Sequence, residues 1–397
     1  MTLKERADKV LSPVLGHYFP DFEVDRGKGA YLYGTNGKKY LDFATGIACL
    51  PVGHCHPKVV KAAVAQTKKL IHVCAGIAYY EANIALAEKL QAITPAGLDM
   101  VFFNQSGSEA VETSLKLAKY TTKKPGIICF KGGFHGRTFG ALSITTSKEK
   151  YRENYGPFMP EVYIADKNLE SVKKIISETG ADKIAAAIIE PIQGEGGYLI
   201  NDPEFMTGLA KLCKENGILL IADEVQSGFG RTGKWFGFEN YDIVPDIMAM
   251  AKGIGSGFPL GAVIAREDLM KAWSTGAHGG TMTGNPVTCA AALANIQVME
   301  EEKVLDNANA LGAYALKKLK KLQKKNLKIK DVRGLGLMLA VEFETGEEVK
   351  AIRLKALDEG LVLISCGPQD NIIRIVPALN IKKSQLNQGL KILEKVL

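Results

Sequence analysis

Lys252 lies between an apolar segment and a glycine-rich loop in the stretch MAMAKGIGSGFPLGA. A lysine at the end of a buried strand has its amine partly removed from water, which favours the neutral form that attacks carbonyl compounds. The glycines that follow allow the backbone to turn sharply or to approach a ligand closely. Lys252 is therefore a candidate Schiff-base nucleophile, although a lysine at a strand end is also a common structural feature.

Asp223 ends the apolar run GILLIAD, and Glu224 follows it directly. An ionised carboxylate is costly to bury unless a cation faces it. The protonated ring nitrogen of pyridoxal phosphate is such a cation, and opposite charges ~4 Å apart gain about 4 kcal/mol at an effective dielectric near 20. We therefore predict that Asp223 faces this ring nitrogen and that Glu224 points to the other side of the strand.

The segment NQSGSEA, which precedes the helical pattern VETSLKLAKY, is a candidate phosphate site. Gly107 permits close approach of the backbone, and Ser108 offers a hydroxyl and an N–H group at a helix N-terminus, where anions bind readily. Ser108 and Glu109 are also an ordinary pair for capping a helix.

The elements that must position these residues alternate between short apolar runs and helical segments. This alternation predicts an α/β fold with a mostly parallel sheet covered on both faces. Ligands bind beyond the carboxyl ends of such strands, so we expect five loops to converge on one site. The runs are MVFF, GIICF, IAAAII, GILLIAD and DIMAMA.

The sequence after about Pro286 has a different pattern, with long helical segments followed by three apolar stretches. These stretches predict the strands of a smaller α+β domain, and a hairpin around Asn36-Gly37 is expected to lie beside it. We therefore predict a large domain of residues 51–286 and a small domain built from residues 1–50 and 287–397. The three stretches are VRGLGLMLAVEF, LVLISC and NIIRIVPAL.

Composition and charge limit the partners and the location of the chain. Of the 397 residues, 46% are hydrophobic and 23% are charged, and the net charge is +7. Much of the excess lies in ALKKLKKLQKKNLKIK, where leucines at three-residue steps indicate a buried helix face and the lysines a solvated one. We expect no nucleic-acid partner, because no binding motif accompanies the lysines.

Seven scattered cysteines, without CxxC spacing, indicate reduced thiols and a cytoplasmic location. The N-terminus has no signal-peptide pattern, and no apolar stretch is long enough to cross a membrane.

Nine stretches, read in order, resemble the class III pyridoxal-phosphate aminotransferases, which have the fold type I architecture. Within that family the resemblance is strongest to 4-aminobutyrate and acetylornithine aminotransferases. It implies a pyridoxal phosphate cofactor and extends almost from end to end of the chain. The stretches are YLDFATGIACLPVGHCHP, QSGSEAVETSLKLAK, GGFHGRTFGALS, IIEPIQGEGGY, IADEVQSGFGRTGKWF, AKGIGSGFPLGAVIAR, GGTMTGNP, VRGLGLMLAVE and IIRIVPALN.

The resemblance implies a role for each residue around the cofactor ring. Lys252 corresponds to the lysine that binds the cofactor covalently, and Asp223 to the partner of the ring nitrogen. Val225 and Phe134 correspond to residues that cover the two ring faces. Gln226 corresponds to a residue that reaches the ring hydroxyl.

Other matching residues surround the phosphate. Gly107 and Ser108 correspond to the phosphate loop. Thr281 resembles a threonine that reaches the phosphate in the partner subunit, which implies a homodimer with shared active sites. His135 and Glu190 lie in matching loops beside the cofactor, and we assign them supporting roles.

Three residues are implied on the substrate side. Arg137 resembles an arginine that holds a substrate carboxylate, and Arg374 one that binds the α-carboxylate of glutamate or 2-oxoglutarate. Arginine suits both positions because its planar fork binds a carboxylate through two parallel hydrogen bonds. Glu195 corresponds to a gate that pairs with Arg374 until a substrate carboxylate displaces it.

These residues predict an enzyme that moves the amino group of an ω-amino acid to 2-oxoglutarate by a ping-pong reaction. The best candidate for the donor is 4-aminobutyrate. Gly280 favours it slightly, because some acetylornithine enzymes have a serine there. Met282 and Thr283 also depart from the family pattern, which implies a different pocket wall at the dimer interface. N-acetylornithine or ornithine remains the alternative donor, and a non-enzymatic binding protein on the same scaffold is a further alternative.

Two other interpretations fail on spacing. His54, Cys55 and His56 have no fourth ligand nearby, so we predict no metal site. The glycines of VRGLGLML and KGIGSG do not form the GxGxxG fingerprint of dinucleotide-binding proteins.

Overall fold

The computed structural model describes residues 1–397. Its helices are α1 (Leu3–Val10), α2 (Thr45–Ala48, a single turn with positive φ angles), α3 (Pro57–Lys69), α4 (Glu81–Ile93), α5 (Gly107–Thr122), α6 (Phe139–Ser143), α7 (Leu169–Thr179), α8 (Pro203–Glu215), α9 (Glu267–Ala272), α10 (Pro286–Glu301), α11 (Val304–Lys325), α12 (Gly346–Asp358) and α13 (Lys383–Val396). Its strands are β1 (Val24–Lys28), β2 (Tyr31–Gly34), β3 (Lys39–Asp42), β4 (Met100–Asn104), β5 (Gly126–Phe130), β6 (Val162–Ala165), β7 (Ile184–Ile189), β8 (Ile192–Gln193), β9 (Leu199–Ile200), β10 (Leu219–Asp223), β11 (Ile247–Met250), β12 (Gly261–Ala265), β13 (Asp331–Leu335), β14 (Met338–Glu342), β15 (Leu361–Val362), β16 (Ile364–Cys366) and β17 (Ile372–Ile375).

The central sheet has seven strands in the order β4-β12-β11-β10-β7-β5-β6. The neighbouring pairs from β11 to β6 are parallel, whereas β12 runs antiparallel to both β4 and β11. The predicted mostly parallel α/β sheet is therefore confirmed. The register places Asp223 beside Ala249 of β11, three residues before Lys252, so two candidate residues lie at one edge of the sheet.

Helices cover both faces of this sheet because successive side chains of each strand point to opposite sides. Ile127 of β5 packs in a buried cluster with Val111 and Leu115 of α5. Its neighbour Ile128 packs in a second buried cluster with Leu209 of α8. Strands with both faces covered must be apolar throughout, which explains runs such as IAAAII.

Two smaller sheets lie outside the central one. The first contains strands from the three predicted C-terminal stretches, has the order β13-β14-β17-β16 and is antiparallel. The second has the order β1-β2-β3-β15, and its β2–β3 hairpin turns at Gly37, where φ is +76°. The stretch LVLISC, which the sequence predicts as one strand, divides at Leu363 between the two sheets.

The pairing of β3 with β15 joins the beginning of the chain to its end in one sheet. This pairing supports a small domain built from both termini. The boundaries at residues 51 and 286 remain a prediction.

Several polar and charged segments have structural partners. In the lysine-rich helix α11, Leu319 is buried, while Leu316 and Leu322 are partly buried against the core. The Nε2 atom of His54 lies 2.7 Å from Oδ2 of Asp42, and the Nε2 atom of His56 lies 3.0 Å from Oε1 of Glu302. No helix of the chain is long and apolar enough to cross a membrane.

Candidate active site

A cavity of about 360 Å³ lies where five strands of the central sheet end. Its walls come from the loops that follow β4, β5, β7, β10 and β11, as the alternation of strands and helices predicts. The predicted cofactor residues that line it are Gly107, Ser108, Phe134, His135, Glu190, Asp223, Val225, Gln226 and Lys252.

The N-terminus of α5 forms one end of the cavity. Its cap is Ser106, whose hydroxyl accepts a hydrogen bond from the N–H of Glu109 at 3.2 Å, so Ser108 is not the cap. A Cβ atom at Gly107 would lie 2.8 Å from Cγ1 of Val225, and therefore only glycine fits there. The free N–H groups of this helix end and the Ser108 hydroxyl suit a phosphate group.

Asp223 is buried and makes two hydrogen bonds inside the cavity wall. Its Oδ2 atom lies 2.7 Å from Nδ1 of His135, and its Oδ1 atom accepts a bond from the N–H of Val225 at 3.0 Å. Burial by itself lowers the pKa of His135, but the hydrogen bond and charge of Asp223 outweigh it and raise that pKa. His135 is thus a direct partner of Asp223, a contact that the sequence did not predict.

Glu190 connects two of the converging loops. Its carboxylate accepts hydrogen bonds from the N–H groups of Phe134 and Gly194, each at 2.8 Å. Burial raises the pKa of Glu190, while the neighbouring His135 opposes that rise. The two hydrogen bonds fix the backbone on which Phe134 reaches the cavity.

Lys252 has a left-handed backbone conformation, with φ at +48°. Residues other than glycine rarely adopt this conformation, and such strain is concentrated at functional sites. The side-chain amide of Asn295 donates to the carbonyl groups of Gly253 and Ile254, at 2.9 and 3.2 Å, and holds the turn in place.

Gln226 is held by a buried tyrosine. The hydroxyl of Tyr198 donates to Oε1 of Gln226 at 2.9 Å. A Cβ atom at Gly194 would lie 2.2 Å from Nε2 of Gln226, so the glycine of the QGEGG stretch makes room for this amide.

Arg137 lies near the cavity but is exposed and does not line it. Its guanidinium carbon is 4.3 Å from the ring centroid of Tyr151, and this tyrosine also packs edge-on against Phe134 at 5.8 Å. Tyr151 therefore supports both a predicted cofactor residue and a predicted substrate residue.

Arg374 is completely buried and pairs with Glu195, with Nη1 and Oε1 2.5 Å apart. Its Nη2 atom donates to the hydroxyl of Tyr18 at 2.9 Å and to the carbonyl of Ser365 at 2.7 Å. Burial alone lowers the pKa of Arg374, but the Glu195 carboxylate reverses this effect and raises the pKa well above its usual range. The structure thus brings together the two residues of the predicted gate.

Thr281 is exposed and does not line the cavity of its own chain.

Glu224 points away from the cavity, on the opposite side of the chain from Asp223. It is buried and accepts hydrogen bonds from the Ser227 hydroxyl at 2.6 Å and from the N–H groups of Gly237 and Phe238 at 2.8 and 2.7 Å. Glu224 therefore orders the segment after β10.

Replacing Glu224 by alanine is expected to destabilise the protein by about 2–5 kcal/mol, because two buried N–H groups lose their acceptor. The shift of the urea unfolding midpoint measures this loss. Glu215→Ala, which removes an exposed carboxylate 3.8 Å from Lys211, is the control and should cost less than about 1 kcal/mol. Equal shifts for both variants would contradict the assignment.

The cost of Glu224→Ala is also expected to depend on pH. Burial raises the pKa of Glu224 to about 7. The stability that this carboxyl group contributes is therefore complete when the pH is well below the ordinary carboxyl pKa, and it is lost as the pH rises through 7. The difference between wild type and variant should therefore shrink by about 1 kcal/mol between about pH 6 and about pH 8.5.

Comparison with known proteins identifies the family. Residues 15–397 match the family described as Aminotransferase class-III. The chain belongs to this family. It is therefore an aminotransferase, an enzyme that moves an amino group from a donor to a keto acid.

Two relatives of this class III aminotransferase have different named donors. The 4-aminobutyrate aminotransferase GabT of Escherichia coli is 41% identical, over 99% of this chain and 97% of the relative. The acetylornithine aminotransferase of Methanosarcina mazei is 45% identical, over 94% of this chain and 91% of the relative. Overall similarity therefore does not select the donor.

A solved structure of an ornithine aminotransferase from Toxoplasma gondii superimposes with a TM-score of 0.92 at 28% identity, covering 99% of this chain and 93% of that one. That ornithine aminotransferase has partial occupancy of pyridoxal phosphate at its active site. Class III aminotransferases depend on this cofactor, and pyridoxal phosphate is the cofactor of this enzyme.

The cavity of this class III aminotransferase fits the cofactor chemically. It offers an amine from Lys252 for the aldehyde, a carboxylate from Asp223 for the ring nitrogen, and the N-terminus of α5 for the phosphate. A Cβ atom at Gly107 would clash with Val225, another residue of the cavity wall.

The sequence did not predict three tyrosines that hold these residues in place. Tyr198 lies in the family-like stretch IIEPIQGEGGY, and a buried phenol needs a hydrogen-bond partner. The sequence therefore contained an indication that Tyr198 contacts a neighbouring polar residue, which is Gln226. No sequence pattern indicated the contacts of Tyr18 and Tyr151, because their partners are remote in sequence or depend on loop geometry.

Proposed function

We propose that this aminotransferase transfers the amino group of an ω-amino acid, best represented by 4-aminobutyrate, to 2-oxoglutarate. The observation that carries the proposal is the buried pair of Arg374 and Glu195. The ion pair would stay closed while the donor, which has no α-carboxylate, is bound. It would open for the acceptor, which has an α-carboxylate, so both substrates can use one site.

The cofactor, when bound, supplies an electron-accepting ring and a carbonyl group that receives the amino group. Lys252 would attach it, and Asp223, which is hydrogen-bonded to His135, would keep the ring nitrogen protonated. Val225 and Phe134, which line the cavity, would cover the ring.

The remaining cofactor residues fix its position. Gln226 would bind the ring hydroxyl, and Gly107 and Ser108 would bind the phosphate. Glu190 supports the loop of Phe134.

In the first half-reaction Arg137 holds the carboxylate of the ω-amino acid. Glu195 remains on Arg374 and neutralises a guanidinium that would otherwise be buried without a counter-charge. The Nζ atom of Lys252 then removes a proton from the donor carbon that carries the amine, acting as a general base.

In the second half-reaction the α-carboxylate of 2-oxoglutarate displaces Glu195 and binds Arg374 through two hydrogen bonds. Lys252 moves a proton in the opposite direction and glutamate leaves. One ion pair therefore changes partner between the two halves of a ping-pong cycle.

Glu195→Ala is expected to slow the first half-reaction with 4-aminobutyrate about tenfold to a hundredfold, because Arg374 then faces the donor without a counter-charge. The half-reaction with 2-oxoglutarate should keep its rate, since that substrate supplies its own carboxylate. Rapid-mixing absorption measurements of each half-reaction test this, with Glu153→Ala at an exposed position as the control. Equal slowing of both halves would argue against the gate.

We also propose a homodimer with shared active sites. Thr281 lies exposed on a loop outside its own cavity, which is the arrangement expected of a residue that serves a partner subunit. The seven unpaired cysteines support a cytoplasmic location.

The donor is tested by steady-state rates with 2-oxoglutarate and a panel of 4-aminobutyrate, 5-aminovalerate, N-acetylornithine and ornithine. We expect the greatest kcat/KM with 4-aminobutyrate. Gly280, where some acetylornithine enzymes have a serine, supports this choice. The greatest kcat/KM with N-acetylornithine would establish the alternative donor instead.

A further inference from the structure

Arg353, on α12, is a buried cation without an ion pair. Only 8% of the residue is exposed, and its Nε and Nη1 atoms have no hydrogen-bond partner. The charge of the Asp370 carboxylate acts to raise the pKa of Arg353, but this carboxylate is itself paired with Lys148 at 2.5 Å. A charge buried in this way is costly unless another interaction compensates it.

Two aromatic rings supply that interaction. The guanidinium carbon of Arg353 lies 5.1 Å from the ring centroid of Tyr18 and 5.6 Å from that of Phe19. Both distances are within the range of cation–π attraction, which is strongest where the cation is desolvated. Arg353 is therefore bound to the segment between α1 and β1, which has neither helix nor strand structure of its own.

Tyr18 connects this cation to the substrate side of the active site. Its ring faces Arg353, and its hydroxyl accepts a hydrogen bond from Nη2 of Arg374 at 2.9 Å. The residue is 37% exposed, so packing alone holds it weakly. The contacts with Arg353 and Arg374 fix its position, together with a longer hydrogen bond of 3.4 Å from its hydroxyl to the carbonyl of Ser365.

We propose that Arg353 is a positioning residue for the acceptor: it holds the Tyr18 ring so that the Tyr18 hydroxyl keeps Arg374 oriented for the α-carboxylate of 2-oxoglutarate. The inference rests on the proposed role of Arg374. While Glu195 is paired with Arg374, that ion pair also holds the guanidinium. After the acceptor displaces Glu195, Tyr18 and Ser365 remain as the protein groups that orient it.

This sequence of contacts predicts an effect on one half-reaction only. Arg353→Met keeps most of the apolar stem and removes the cation. It is expected to raise the half-saturating concentration of 2-oxoglutarate about tenfold and to leave the half-reaction with 4-aminobutyrate unchanged. Lys350→Met removes an exposed cation from the same helix and is the matched control for net charge.

Tyr18→Phe tests the connection, because it keeps the ring and removes the hydroxyl. It should give the same selective effect. The double variant Arg353→Met/Tyr18→Phe should be no worse than Tyr18→Phe alone if Arg353 acts through that hydroxyl. Arg353→Gln replaces Arg353→Met if the latter does not fold, as judged by thermal unfolding.

The outcomes separate the inference from the function on which it rests. A wild-type enzyme that does not saturate with 2-oxoglutarate would overturn the proposed function. If the wild type saturates, three results would overturn the role of Arg353 alone. The first is additive effects in the double variant, and the second is equal slowing of both half-reactions by Arg353→Met. The third is Arg353→Met behaving like Lys350→Met.

Discussion

Replacing Lys252 by alanine is expected to slow turnover by at least about 10⁴-fold, the largest effect of any single substitution in the cavity. Under the proposed roles of Lys252, the variant loses both the amine that attaches the cofactor and the base that moves the donor proton. The visible absorption of the lysine-bound cofactor should disappear, while phosphate-dependent binding at the N-terminus of α5 persists. Steady-state rates and absorption spectra measure the two effects.

Chemical rescue distinguishes a lost amine from a damaged fold. Small primary amines added to Lys252→Ala should restore part of the proton transfer, because the truncated side chain leaves room for them beside the cavity. Lys271→Ala, which removes an exposed lysine paired with Glu267, is the control and should keep wild-type activity. Turnover by Lys252→Ala within tenfold of wild type would eliminate this residue as the catalytic base.

Asp223→Asn is expected to reduce kcat about 10³-fold. The loss corresponds to a charge pair of about 4 kcal/mol between the carboxylate and the protonated ring nitrogen. The substitution preserves size, and the asparagine oxygen can still accept the hydrogen bond from Val225 N–H. The rate of donor deprotonation, measured in a single turnover with isotopically labelled donor, should therefore fall while the fold is retained.

Asp25→Asn, at an exposed position on β1, is the control for loss of one negative charge and should leave the rate unchanged. A normal deprotonation rate in Asp223→Asn would show that the ring nitrogen does not need this counter-charge, and the assignment of Asp223 would then be abandoned.

The central sheet and the convergence of its loops were accessible from sequence because both follow from local patterns. A strand covered on two faces must be apolar at every position, and IAAAII shows this directly. Once the strands are parallel, their carboxyl ends share an edge, so Asp223 and Lys252 are expected at one site without any knowledge of contacts.

The contacts that orient the site were not accessible in the same way. The bond between His135 and Asp223 joins residues 88 positions apart, and the bond from Arg374 to Tyr18 joins residues 356 positions apart. No periodicity specifies such a pair, because the geometry of the loops determines it. The division of LVLISC has a similar cause, since two different sheets compete for neighbouring residues of one apolar stretch.

The parallel pairing of β3 with β15 has a consequence for synthesis on the ribosome. The hairpin of β2 and β3 is translated early, yet the strand that completes its sheet appears only at residues 361–362. Throughout most of translation the free side of β3 is an open sheet edge, which is prone to pairing with other chains. Nascent chains of this protein should therefore depend on chaperones until the last tenth of the polypeptide emerges.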